Sequence, residues 1–261
     1  MGRTLLGLIL FLAIFAGLGA LGWHYVKDSV RRQPGYRLAA EKVTVPDVPP
    51  WVSERFVEDV LRSSNLHRSG SLLDKTLPQQ LMEAFTAHPW VESVEQVVPR
   101  YPSGADVKLS YRVPTALVEG PEEGIFWVDR NGVLLPPDYL AALTEDRRSE
   151  YPTIRGIQSK PLGSVGTHWG DPMVQAGAQL VAGLSDIAGP VKLAYIIVPS
   201  RENPMWHLRT ATGVEIRWGT FTPDDPKTEA KIKKLWEWHE QFRSLDNVPV
   251  TLRPIDLSQE Q

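Results

Sequence analysis

Six histidines, at positions 24, 67, 88, 168, 207 and 239, are the first candidates for acid–base or metal chemistry in this chain. A helical metal pair needs i, i+4 spacing, as in HExxH, so that both imidazoles share one face. None of the six is spaced that way. There is no cysteine, which removes thiolate nucleophiles, Cys–zinc sites, iron–sulfur clusters and disulfides together. Asp129-Arg130-Asn131-Gly132 opens like a calcium loop, but Val133 would stand at the third ligand position and the glycine arrives too early. Those residues read as a hairpin turn, because Asn and Gly tolerate positive φ. Gly163-Ser164-Val165-Gly166 lacks the lysine and the strand-to-helix setting of a phosphate loop, and no GxSxG elbow or GxGxxG fingerprint occurs. His168, beside Trp169 and Asp171, would act in acid–base catalysis only if the fold brought a serine or carboxylate to it. The expectation is therefore a protein without catalytic, cofactor-binding or metal-ligating residues, with a secreted hydrolase built on His168 as a residual reading.

The elements that would have to position any site point the same way. The chain has 261 residues, 22 of them proline and nine tryptophan, and a net charge of −3. Residues 5–23 run without a charge. As a helix they would span roughly 28 Å, close to the roughly 30 Å hydrocarbon core of a bilayer, with no polar stripe. Leu5, Leu12 and Phe15 fall inside this predicted span, and Trp23, with His24 and Tyr25, would sit at its far interface. A signal peptide cleaved after Ala20-Leu21-Gly22 is the alternative, but the apolar run exceeds the roughly 7–15 residues of a signal core. An uncleaved single-pass anchor is favoured. Residues 1–32 carry a net charge of +3 and the rest −6, and a mildly acidic body without basic clusters argues against a nucleic-acid partner.

The body divides into a linker over residues 27–42, which contains Pro34-Gly35, and then short elements of both kinds, an α+β pattern. A strand over 43–45 precedes a helix behind Ser53, with Phe56, Val60 and Leu61 on one face. Thr76 and Gln79 have capping-box spacing before a second helix carrying Leu77, Leu81 and Phe85. His88-Pro89 stops it. Strands over 91–98 and around Val107, Leu109 and Tyr111 complete a βααββ unit. Beyond it come the Asn131-Gly132 hairpin, an irregular segment over 138–159, and a helix opened by Asp171-Pro172. Three strands follow, over 192–198, around Leu208 and around Ile216. Asp225-Pro226 opens an amphipathic helix with Ile232, Leu235, Trp236, His239 and Phe242 on its inner face, Pro being suited to the first helical position. A last strand is expected over 248–257. Trp206, Trp218 and Trp236 fall at core positions, whereas Trp51 and Trp169, in loops, are the tryptophans free for binding.

The stretch His88-Pro89-Trp90-Val91, with Val94, Arg100-Tyr101-Pro102, Val107, Leu109, Val113-Pro114 and Ala116, followed by Val128-Asp129, Gly132 and Val133-Leu134, resembles the FtsQ/DivIB family of bacterial cell-division proteins. The resemblance implies one N-terminal membrane span and tail (residues 1–26), a linker (27–42) and a POTRA domain (43–118). A β-domain (119–257) and a short tail (258–261) would complete the chain. It also implies a non-enzymatic scaffold of the division machinery in the bacterial inner membrane, with a cytoplasmic N-terminus and the bulk outside the cytoplasm at the septum. Its partners would be FtsB- and FtsL-like membrane proteins, without a cofactor. Tyr111 stands where the family commonly has an acidic residue, and Ile255-Asp256-Leu257 is followed by Ser258 in place of its arginine. In the family that terminal strand is where the partner subunits dock. A free sheet edge offers unpaired N–H and C=O groups to a partner strand. Val94, Gln96 and Val98 mark the candidate edge in the POTRA-like unit, and Val250, Leu252, Arg253 and Ile255 the one near the C-terminus. Glu95, Pro99, Pro249 and Pro254 are residues of the kind that blunt such edges. A POTRA-bearing envelope or export factor that binds client polypeptides is the alternative function.

Overall fold

Three buried residues on each of two helices dictate the first unit. In a computed structural model, which describes residues 15–19, 22, 34–200, 202–222 and 225–258, helix α1 (Phe56–Ser63) buries Phe56, Val60 and Leu61. After a one-turn helix α2 (Leu66–Ser69), helix α3 (Leu77–Thr86) buries Leu77, Leu81 and Phe85 at i, i+4 and i+8. Side chains at that spacing stack on one helical face. Phe56 and Phe85 bring α1 and α3 together, ring centroids 5.6 Å apart, and Ala105 and Val107 of β3 (Gly104–Tyr111) are buried as well. Strand β1 (Val43–Thr44) pairs parallel with β3, Val43 opposite Ala105, and β2 (Val91–Arg100) lies on the other side of β3. The sheet order is β1-β3-β2, so β2 is an edge.

Two local expectations are corrected here. Thr76 is the residue before α3, but its hydroxyl donates to Asp74 Oδ1 at 2.9 Å and accepts from Gln80, so the capping box with Gln79 does not form. Asp74 lies two residues away and is the stronger, charged acceptor. Ser53 accepts the Arg55 N–H at 3.2 Å, and so starts a turn before α1 without capping it. The expected linker is also partly structured. Leu38 is buried, its N–H donates to Gly70 O, and Leu72 N–H donates to Tyr36 O.

The chain divides into two compact units, at Ser110 and Tyr111. The boundary expected at 118/119 falls earlier because β4 (Ala116–Glu119) belongs to the second sheet. That sheet has seven strands in the order β10-β9-β8-β7-β6-β4-β5. They are β5 (Ile125–Val128), β6 (Thr153–Arg155), β7 (Leu193–Ile197), β8 (Trp206–Thr210), β9 (Glu215–Gly219) and β10 (Ile255–Asp256). β6 runs parallel to both β4 and β7, β10 runs parallel to β9, and the remaining pairs are antiparallel.

A parallel pair needs a crossover, and helices supply it. Helix α6 (Pro172–Gly183) connects β6 to β7 and buries Val174, Ala178, Leu180 and Val181. The stretch expected to be irregular instead holds α4 (Pro137–Ala142), α5 (Glu145–Arg148) and strand β6. A three-residue strand with one buried member, Ile154, gives no readable alternation; its place between β4 and β7 makes it a strand. Helix α7 (Ser185–Ala188) follows α6, and α8 (Pro226–Phe242) closes the same core with Leu235, Ile232, Trp238 and Phe242. On the opposite face of the sheet, Trp127 packs against Tyr151, ring centroids 4.4 Å apart and edge-on, and against Tyr139.

The expected membrane span falls on residues most of which, Leu5, Leu12 and Trp23 among them, lie outside the described ones. Phe15 to Gly19 is helical. Among the described residues no helix is long and apolar enough to cross a membrane.

Candidate interaction edges

The edge of the first unit is β2, at ten residues the longest strand among those described. Exposure alternates along it, but the alternation changes phase at Glu95 and Gln96, which are both exposed. Val94 is half-buried and Val98 is 44 % exposed. Glu95 accepts from Lys108 Nζ at 2.7 Å and from Ser110 Oγ at 3.1 Å on the neighbouring strand. Those hydrogen bonds hold its carboxyl below the usual carboxylate range, and the same contact pushes the Lys108 amine up. The edge is thus long, but charged at its middle and closed by Pro99 and by Arg100, whose guanidinium reaches Asp106 at 3.2 Å and Thr44 Oγ1 at 3.0 Å.

The C-terminal edge differs from the expectation. Residues 248–257 do not form one strand: Val250–Leu252 is a turn of 3-10 helix and only Ile255 and Asp256 pair with β9. Pro249 and Pro254 bracket the turn and supply no N–H to a ladder, which is why the alternating pattern does not extend. Val250 is 80 % and Leu252 48 % exposed. Arg253 is turned inward: its Nε donates to Val248 O at 2.9 Å and its Nη2 to Asp246 O at 2.5 Å. Ile255 is fully buried opposite Ile216. Of the four residues expected at this edge, two are therefore structural and two form a protruding apolar turn.

What holds β10 in place was not legible beforehand. Lys231 of α8 is 3 % exposed, and its Nζ donates to Trp218 O at 2.8 Å and Thr220 O at 3.2 Å. It also lies over the Trp218 ring, 5.4 Å from its centroid. The amine thereby binds the carbonyls at the end of β9. Gly219, at φ +84°, passes so close to the C-terminal segment that a Cβ would come within 2.8 Å of Ser258 Cα. Leu257 N–H donates to Arg217 O at 2.8 Å, which directs the Asp256 peptide group outward. Asp256 Oδ1 accepts from the Ser258 hydroxyl and N–H, and these bonds keep its carboxyl below the ordinary range.

The chemistry-bearing candidates resolve into turns and caps. Asp129 Oδ1 accepts from Asn131 N–H at 2.8 Å and Val133 N–H at 2.9 Å, with Gly132 at φ +72°. Trp169, expected in an open loop, is 1 % exposed, and Trp51 is half-buried. Trp236, expected in the core, is 38 % exposed, and Trp238 packs against the core in its place. His168 is exposed, its Nδ1 3.2 Å from Asn131 O, beside a cleft of about 150 Å³ that Asp171 also lines. Asp171, however, accepts from Met173 N–H at 2.8 Å as the α6 cap and from Ser159 Oγ at 2.6 Å, while Trp169 Nε1 donates to that hydroxyl. A larger groove of about 670 Å³ crosses β4, β6 and β7, but Arg155 there is paired with Glu119 at 2.7 Å and stacked 3.7 Å over Tyr195. His207 is the buried histidine of the second sheet. It is 7 % exposed, between Glu215 Oε1 at 3.1 Å and Asn203 Nδ2 at 2.6 Å. Among the described residues no group of His, Asp or Glu could hold a metal ion.

No family model matches the chain, and no curated protein matches it.

Proposed function

We propose that this chain is a non-enzymatic scaffold of the bacterial division machinery, of the FtsQ/DivIB kind, with residues 5–23 as its single membrane span. Its N-terminus would be cytoplasmic and its two units outside the cytoplasm. The first unit's strand, two longer helices with a one-turn helix between them, and two further strands, on a β1-β3-β2 sheet, support a POTRA domain, and the mixed sheet that ends in helix plus strand agrees with a β-domain. The observation that carries the reading is that each sheet ends in a strand with one neighbour, β2 in the first and β10 in the second. Such edges recruit partner strands through main-chain hydrogen bonds. FtsB- and FtsL-like proteins are the proposed partners, with Val250 and Leu252 as an apolar contact beside β10.

Pull-down of the full chain from division-competent membranes tests this. Asp256→Pro removes the outward N–H of β10, and recovery of FtsB- or FtsL-like partners should drop at least tenfold while Asp256→Ala retains them. Undiminished recovery with the proline would overturn docking at that edge. Uniform rather than septal localisation of a fluorescent fusion would overturn the division role.

A further inference from the structure

The chain enters the first unit beside the hairpin that joins β2 to β3. Ala39 N–H donates to Ser103 O at 2.9 Å, Lys42 Nζ donates to Ser103 Oγ at 2.9 Å, and Arg37 bridges to Ser71. Ser71 O in turn accepts the Asp74 N–H, which brings Lys75 to the same end. Residues 34–42, 71–75 and 100–103 therefore make up one end of the unit. Arg37, Lys42, Lys75 and Arg100 are exposed there, and Tyr101 at the hairpin tip is 64 % exposed. The acidic residues of these segments are Glu41 and Asp74, and Arg100 also pairs with Asp106 at 3.2 Å. The rest of the unit, as far as Ser110, carries four basic and eight acidic residues. Positive charge is thus gathered where the chain enters, around an exposed tyrosine. Ala87, exposed four residues before β2 begins, lies at the opposite end, because the ten residues of β2 run about 30 Å from there to the hairpin.

We propose that this end of the unit rests on the bilayer surface next to the membrane span, with Tyr101 among the lipid headgroups and Arg37, Lys42 and Lys75 against anionic ones. The proposal rests on the reading of residues 5–23 as that span. Residues 24–33 separate the span from Pro34, a reach of at most about 40 Å. They add Lys27, Arg31 and Arg32 against Asp28, so the excess of positive charge continues along the sequence from the span to the unit. Tyrosine suits a membrane interface, its ring apolar and its hydroxyl wet. Lysine and arginine are drawn to anionic lipid only within about a Debye length of the surface. The short tether matters for that reason: it holds the basic end near enough for a weak attraction to act. The acidic excess on the rest of the unit is repelled by the same surface, and the two effects together orient the hairpin toward the lipid.

The chain holds no cysteine, so Glu41→Cys and Ala87→Cys each place a single fluorophore, one beside the hairpin and one at the opposite end. The full chain is reconstituted in vesicles of equal parts phosphatidylcholine and phosphatidylglycerol that carry headgroup nitroxides, and quenching of the label is read. Quenching at position 41 should exceed that at 87 at least threefold. It should fall at least twofold in vesicles of phosphatidylcholine alone, and likewise with Tyr101→Ala. Lys42→Glu with Lys75→Glu should bring it to the level of position 87 while the circular dichroism spectrum is unchanged. The proposal is overturned if the chain stays in the vesicles through a carbonate wash and the two positions are quenched alike, or if the charge-reversed variant is quenched as the unaltered chain is. Shielding of position 41 from iodide that grows with the protein-to-lipid ratio, without nitroxide quenching, would assign this end to a second copy instead. Release of the chain by carbonate would refute the span itself, and the proposal with it.

Discussion

Arg112 Nη1 lies 2.7 Å from Asp129 Oδ2, joining the chain just ahead of β4 to the turn just beyond β5, and Asp129 is only 2 % exposed. The carboxylate also accepts both turn N–H groups at Asn131 and Val133, so one buried charge organises an ion pair and a tight turn together. Removing one partner of such a pair strands the other, which costs more than the pair contributes in net stability. Asp129→Ala should therefore lower unfolding stability by about 3–5 kcal/mol. Arg112→Met, which leaves the turn N–H acceptors in place, should cost less. Urea denaturation of each variant measures the difference.

The ring of His88 packs edge-on against Phe56 at 4.7 Å, and Trp90 N–H donates to its Nδ1 at 3.3 Å, which requires the neutral ring. Burial pushes its pKa below the ordinary histidine range, with Asp59 pulling weakly the other way. The folded pKa is below the unfolded one, so protons favour unfolding. Stability should be complete above the histidine range and decline as pH falls from about 7 to 5. Thermal melts should show that slope, and His88→Asn should flatten it.

Lys231→Met keeps the stem of the side chain but strips two carbonyls, of Trp218 and Thr220, of their donor. A loss of about 1–3 kcal/mol is expected. Because Lys231 steadies the end of β9, the Leu257 amide, bonded to Arg217 O, should exchange with deuterium faster than in the unaltered chain while amides of α6 change little.

Gly219→Ala should strain a left-handed backbone and press on Ser258. A left-handed non-glycine residue costs of order 1–3 kcal/mol, and the contact adds to it. A drop in melting temperature with selective loss of protection at Leu257 is the expected result; an unchanged Leu257 would mean that the segment relaxes freely.

Helices were the most legible part of the chain because their evidence is local. The spacing of Phe56, Val60 and Leu61, of Leu77, Leu81 and Phe85, and of the residues after Asp225-Pro226 is a helical period that needs no partner to be read. Strand β6 was not legible, since its identity comes from neighbours far along the chain at Leu117 and Tyr195. Trp236 and Trp238 both lie close to the apolar stripe of α8, and only the angle at which the helix meets the sheet decides which is covered.

By itself the amino-acid sequence determined that the chain lacks thiol chemistry and any familiar catalytic spacing, that its body is mixed α and β, and where its long helices start. Composition and short-range periodicity carry those facts. Tertiary structure alone decided that the buried charges are Asp129 and Lys231, that Arg253 turns inward, and that residues 250–252 form a protruding turn instead of a strand. Each depends on which carbonyls and carboxylates the fold brings within about 3 Å of a given donor, a distance that separation along the chain does not encode.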